Sequence, residues 1–151
     1  MSCEQELQNL ARGLRKKSPC FRGWNLDGLQ AFIRDGGICV FCGAPALPPG
    51  RGHADHLLPE KKYPRWASGP ENRVTACVCC NIAKADDDPS HGTGSVLNLK
   101  DDAVRKRLVV EACKQIDEKR ARWEREFVQT GKVPFEEAVA QYRKCMESAD
   151  V

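Results

Sequence analysis

The sequence predicts an α+β protein, a metal-stapled and loop-rich module with helices on both sides of it. Three observations predict this. Two C-x-x-C pairs, Cys39/Cys42 and Cys77/Cys80, bracket an inner segment that holds most of the prolines. Apolar residues recur at helical spacing before that segment and again after it. Within it, His53 to Leu58 lies between two irregular loops and reads as a short strand.

Residues 1–36 are the first block, an N-terminal helical segment. Leu7, Leu10, Ala11 and Leu14 share a helical face, and Ser18-Pro19 breaks the run. A second helix is expected after Asn25, a natural N-cap, with Leu26, Leu29, Phe32 and Ile33 on one side. Gly36-Gly37 should end it. Residues 37–90 are the second block. The stretches 44–52 and 61–70 are too rich in proline and glycine for helix, and a short helix is expected from about Cys80 to Ala85. Residues 91–151 are the third block, a C-terminal helical extension. A charged helix is expected over 101–128, with Val104, Leu108, Ala112, Ile116, Trp123 and Phe127 as a narrow apolar stripe. Gly131 should stop it. Pro134 fits the first position of a last helix, whose apolar face would hold Phe135, Ala138, Val139, Tyr142 and Met146.

A chain of 151 residues sets a prior of one compact domain with extensions. No stretch approaches the ~20 apolar residues of a membrane helix, and the start has no basic residues followed by an apolar run. No membrane partner and no secretory signal are therefore expected. The net charge of +3 is too small to speak for nucleic acid on its own. The nine cysteines are more informative. An odd number with two paired knuckles points to metal binding in a reducing, cytoplasmic setting and away from a disulfide framework.

Each C-x-x-C loop brings two thiolates to one ion, so Cys39, Cys42, Cys77 and Cys80 make a tetrahedral four-sulfur set. Soft thiolates favour zinc, and four of them leave no open position, so this zinc would be structural. Cys79 is the alternative to a partner in the second pair. The knuckles are separated by about twice the roughly 15–20 residues of a plain zinc ribbon. The insertion contains Asp55-His56-Leu57-Leu58-Pro59 and Asn72, and the second knuckle runs on into Asn81 and Lys84.

Phosphodiester hydrolysis needs a cation that neutralises charge on the phosphoryl oxygens, hard oxygen ligands for that cation, and a base for the attacking water. Asp55, Asn81 and His56 supply those parts. The order Cys39-x-x-Cys42, Asp55-His56-Leu57-Leu58-Pro59, Glu71-Asn72-Arg73, Cys77-x-x-Cys80-Asn81-x-x-Lys84, Asp88-Pro89 closely resembles the HNH endonucleases, which are ββα-metal nucleases. The likeness covers residues 37–90, about a third of the chain.

The resemblance implies a divalent-metal-dependent endonuclease with DNA as the expected substrate. His56 would be the general base, and Asp55 and Asn81 would hold the catalytic magnesium or manganese. Asn72 would organise the connecting loop and the histidine, and Lys84 would face the phosphate. In an ideal strand Asp55 and His56 point to opposite faces, so they serve one centre only if the strand ends or bends there. His53 shares Asp55's face and is either a further ligand, a substrate contact or an exposed loop residue. Asn81 has a second reading as a helix N-cap, and Lys84 as a solvated lysine.

Arg51, Lys61, Lys62, Arg65 and Arg73 cluster around the inserted loops with Tyr63 and Trp66, a mixture that suits phosphate contact and base stacking, or equally a solvated loop over a thin core. Asp86-Asp87-Asp88 reads as an acidic turn, and His91 as linker. From residue 91 onward twelve bases face eleven acids, which fits a solvated helix or a face for a second copy or a protein partner. Two rival readings are a non-catalytic zinc module that binds nucleic acid and a protein–protein adaptor.

Overall fold

The computed structural model describes residues 1–46 and 52–149, so Arg51 and residues 47–50 of the expected loop lie outside the described residues. The fold is α+β. Helices α1 (Cys3–Lys17) and α2 (Leu26–Arg34) precede strands β1 (Gly52–His56) and β2 (Arg73–Cys77). Helix α3 (Val78–Lys84) follows β2 directly, and α4 (Asp102–Glu126) and α5 (Lys132–Ala149) complete the chain. No helix among the described residues is long and apolar enough to cross a membrane.

The chain divides into two compact units, residues 1–116 and 117–151. The first takes in the segment 1–36, the module 37–90 and the start of the extension. Its elements form where local chemistry asks for them. Ser2 caps α1 by accepting from the Gln5 amide, and Glu4 and Glu6 in the first turn and Arg15, Lys16 and Lys17 in the last complement the helix dipole. Asn25 caps α2 by accepting from the Asp27 and Gly28 amides. The two helices pack through Ala11, Leu29 and Phe32, with Trp24 set edge-on to Phe32 and to Phe21 and Phe21 tilted against Phe32.

Strands β1 and β2 form a two-stranded antiparallel sheet with Ala54 opposite Thr75, Asp55 opposite Val74 and His56 opposite Arg73. Ala54, Thr75, His56 and Arg73 therefore share one face, and His53, Asp55, Val74 and Ala76 the other. The first face meets α2, where Gly28 comes so close that a Cβ on it would lie 3.1 Å from the Ala54 methyl. Behind the sheet, Leu57, Leu58, Tyr63, Trp66, Val74 and Leu99 form the main core with Leu108 and Ala112 of α4. Each fully buried leucine here contributes ~1.5–3 kcal/mol. Ile116 closes a second cluster with Cys39, Ala46, Cys80 and Ala83.

The second unit is the rest of α4, a π-helical turn over Phe127–Gly131, and α5. Gly131 does not stop the helix as expected, and Pro134 is the third residue of α5 instead of the first. A proline ring crowds the carbonyl four residues before it, here Thr130, and the π-helical turn widens the coil at that point. The glycine alone costs only about 1 kcal/mol, too little to end a helix that nothing else interrupts. Phe127 and Phe135 meet edge-on at 6.2 Å, yet none of the described residues of this unit is buried.

Candidate functional site

Two constellations lie about β1, β2, α3 and the knuckle loop that carries Cys39 and Cys42. The first is the cysteine cluster. The sulfurs of Cys39, Cys42, Cys77 and Cys80 all lie within 4.8 Å of one another, and those of Cys42 and Cys77 are 3.7 Å apart. Four sulfurs at a Zn–S distance of about 2.3 Å would be about 3.8 Å apart, so the cluster has the size of a tetrahedral zinc site. Gly43, with φ of 76°, makes the tight turn after the first knuckle, and the Gly43 amide donates to the Cys39 carbonyl. The Cys77 sulfur caps α3 by accepting from the Cys80 amide. Burial pushes the Cys77 thiol up, but that amide and the neighbouring sulfurs outweigh it and bring it down to about 7. Cys79 is exposed and stands outside the cluster, which leaves Cys77 and Cys80 as the pair.

The second constellation gathers around Asp55. Its Oδ2 is buried and accepts no hydrogen bond among the described residues. An unsatisfied buried carboxylate oxygen is costly and calls for an explanation. Burial pushes the Asp55 carboxyl above its ordinary range, and the charge of Lys84 and then the backbone amide of His56 draw it back only in part. Lys84 is 1% exposed. Its ammonium donates to the Asp87 carbonyl at 3.4 Å, and burial holds it below the usual lysine range despite the carboxylate of Asp55. Lys84 is thus not the solvated lysine that the sequence offers as its second reading. It follows Cys77 and Cys80 on the inner face of α3, and that face packs on the strands.

His56 is the last residue of β1, where the strand ends. Its Nε2 lies 3.1 Å from the Ala67 carbonyl and 3.7 Å from a Glu60 carboxylate oxygen. A carbonyl only accepts, so Nε2 carries a proton and the lone pair of neutral His56 sits on Nδ1. The carbonyl is itself held in place. Buried Asn72 accepts from the Leu58 amide at 2.7 Å and donates to the carbonyls of Leu58 and Trp66, at 2.9 and 3.1 Å. It thereby ties both ends of the 58–66 loop, one residue short of Ala67. Helix α2 holds the other side of that carbonyl, since Asp27 accepts from the Gly69 amide and Arg34 donates to the Pro70 carbonyl, both at 2.9 Å.

Asn81 lies inside α3 and is not its N-cap, a place Cys77 takes. It is half-buried, and its side-chain amide makes no hydrogen bond among the described residues. His53 is exposed. The expected basic cluster is dispersed in its bonding. Lys62 pairs with Asp88 at 3.0 Å, and Arg65 stacks over the Trp66 ring and donates to the Ser95 carbonyl. Arg73 is half-buried with an unpartnered Nε, and Lys61 is exposed.

Three features went unread in the sequence. The burial of Lys84 is one, and the reach of Asp27 and Arg34 to the 69–70 turn is another. The third is Asp88, whose carboxylate accepts from the Tyr63 hydroxyl at 2.6 Å, from Lys62, and from the hydroxyl and amide of Ser90. Burial pushes its carboxyl up, but those donors hold it well below the ordinary carboxylate range. Asp88 is a clamp between two loops, and Tyr63 fits so closely against Gly94 that a Cβ there would lie 2.7 Å from the ring. His91 also has a partner, Glu111 at 2.9 Å. Compared with protein-family models, curated proteins and solved structures, the chain matches none.

Proposed function

We propose that this chain is a divalent-metal-dependent endonuclease of the HNH type, with a structural zinc at Cys39, Cys42, Cys77 and Cys80 and DNA as its substrate. The observation that carries the reading is the buried, unpartnered oxygen of Asp55, followed at the end of β1 by a histidine whose Nε2 is tied to a backbone carbonyl. Asp55 and Asn81 offer oxygen donors of the hard type that magnesium or manganese takes. When bound, that cation supplies neutralisation of the charge on the scissile phosphate.

The remaining work belongs to the chain. Nδ1 of His56 accepts a proton from water as its oxygen bonds to phosphorus. The P–O3′ bond breaks, the leaving oxygen takes a proton from solvent, and the ends are a 3′-hydroxyl and a 5′-phosphate. Asn72 acts through position, by holding the loop whose Ala67 carbonyl fixes the imidazole. The free thiols of all nine cysteines fit a reducing compartment.

The charge of Lys84, which draws the Asp55 carboxyl down, favours a second reading, in which the buried lysine balances Asp55 and the module binds nucleic acid without cutting it. The deciding experiment is incubation of the zinc-loaded protein and a His56→Ala variant with plasmid DNA and RNA, in magnesium, manganese or chelator. Metal-dependent nicking that His56→Ala loses supports the nuclease. Binding without any nicking leaves the second reading.

A further inference from the structure

We propose that the N-terminal helix pair carries a track for the sugar–phosphate backbone of DNA, built from Arg12, Arg15, Lys16 and Arg22 and leading past Trp24 to the β1 edge. The identity of the partner rests on the nuclease reading. Between Glu6 and Asp27 the chain holds five bases and no acid, in a protein whose net charge is +3. Arg12, Arg15 and Lys16 are spaced three and four apart and share one side of α1, and Arg22 comes from the turn that follows. All four are exposed, and none forms an ion pair among the described residues. Elsewhere on the first unit Lys62 is matched by Asp88, Lys106 by Asp102 and Lys114 by Glu111, and the exposed bases without an ion pair among the described residues, Lys61, Arg65, Lys100 and Arg107, are not gathered in one groove as these four are.

The four bases line a groove of about 580 Å³, the size of a ligand cleft, together with Gly13 and Gly23. Gly23 has φ of 87° and makes the turn. Gly13 has no such reason. It sits inside α1, where glycine costs about 1 kcal/mol against alanine, and a Cβ on it would meet nothing within 4 Å. A glycine that the fold does not need, on the floor of a basic groove, leaves room for a backbone to approach. The next residue after Gly23, Trp24, lines a second groove with His53 and Arg73, and Arg73 is the register partner of His56. The track therefore runs from unmatched positive charge toward the candidate centre. Helix α1 has spent its apolar face on α2 through Ala11 and Leu14, which leaves it no such face to sink into a lipid surface.

The test measures binding of the full-length, zinc-loaded protein to a short labelled DNA duplex as a function of salt, with a weak chelator to prevent cutting. An Arg12→Gln/Lys16→Gln/Arg22→Gln variant spares Arg15, which donates to the Trp24 carbonyl and so supports the fold. It should lose at least about tenfold in affinity, and its log–log salt slope should fall by about 2–3, at ~0.9 per phosphate contact. Gly13→Leu fills the groove without changing charge and should weaken binding severalfold while the melting temperature holds or rises. Wild-type affinity and slope in both variants would overturn the track, as would binding to phosphatidylserine vesicles equal to that of the duplex. If groove-dependent binding is found without cleavage, the track stands and the nuclease reading fails. If the protein cuts DNA and the variants bind as wild type does, the track fails and the nuclease reading stands.

Discussion

The four-cysteine cluster, on the first knuckle loop, β2 and α3, and the Asp55–His56 corner, on β1, are neighbours in the sequence, but their polar groups are satisfied in opposite ways. In the cluster the sulfurs turn toward one another, Cys39 and Cys80 are buried, and Cys77 caps α3 as well. At the corner a buried carboxylate oxygen of Asp55 is left without a partner, while Asn72 and the Ala67 carbonyl, which brace His56, are engaged. A site that holds a fold closes on itself. Under the nuclease proposal, the open valence of Asp55 on its rigid mount is what would take the cation.

The sharpest way to break this contrast is at the cluster. Cys39→Ser should cost the protein its zinc and unfold residues 37–90. Structural zinc is worth on the order of 10 kcal/mol or more, comparable to the whole stability of a domain. Elemental analysis and thermal melting check this, and Cys79→Ser should keep both zinc and fold. Retained zinc in Cys39→Ser would remove the assignment.

At the corner, a loss should be of rate and not of fold. His56→Ala should slow plasmid nicking by roughly 10²–10⁴-fold with its circular dichroism unchanged. Full activity in a folded variant would mean the base is elsewhere, and His53→Ala would then be the next variant to assay.

What the charge of Lys84 does for Asp55 can be tested by asking what metal does there. Weak chelation should stop cleavage, and magnesium or manganese should restore it, with zinc content constant throughout. Asn81→Ala should mimic the chelator. Lys84→Met removes a competing cation beside Asp55, so the magnesium needed for half-maximal rate should fall by roughly tenfold. A rise in that requirement, or no metal dependence at all, favours a purely structural role for Lys84 in balancing the Asp55 charge.

Smaller effects belong to the residues that hold the loops. Asn72→Ala strands a buried amide and two buried carbonyls and should cost roughly 3 kcal/mol in urea unfolding, with slower cleavage. Asp88→Asn should cost roughly 2 kcal/mol at neutral pH. Because the folded carboxyl of Asp88 lies below its ordinary value, its contribution is present above about pH 4 and fades as pH falls through the folded value. The wild type should therefore lose stability on acidification, and the difference between it and Asp88→Asn should shrink below about pH 4.

Much of this was readable because spacing carries it. The C-x-x-C pairs bring four sulfurs together, and Asn25 starts α2 where a cap is needed. The α4 stripe is readable only to Ile116, beyond which Trp123 and Phe127 are exposed. Lys84 was readable in principle, since it falls four residues after buried Cys80 on a helical face, but charge argues for solvent and only packing overrides it. Asp88 and the α2 clasp were not readable. Asp27 meets a loop 42 positions along the chain, and no local period encodes such a contact. The order Asp55, His56, Asn72, Asn81 suggests a centre, whereas the orientation of His56 depends on Ala67, a residue with no chemical signature of its own.

That last dependence limits how far the region can be taken apart. The Ala67 carbonyl is steadied from one side by Asn72 and from the other by Asp27 and Arg34, which lie outside residues 37–90. A chain begun at residue 37 would keep all four cysteines, Asp55, His56, Asn72 and Asn81, yet its histidine would lose half of its bracing. Grafting the central segment alone onto another scaffold would transplant the reagents without the jig that aligns them, so the smallest portable piece begins no later than Asn25.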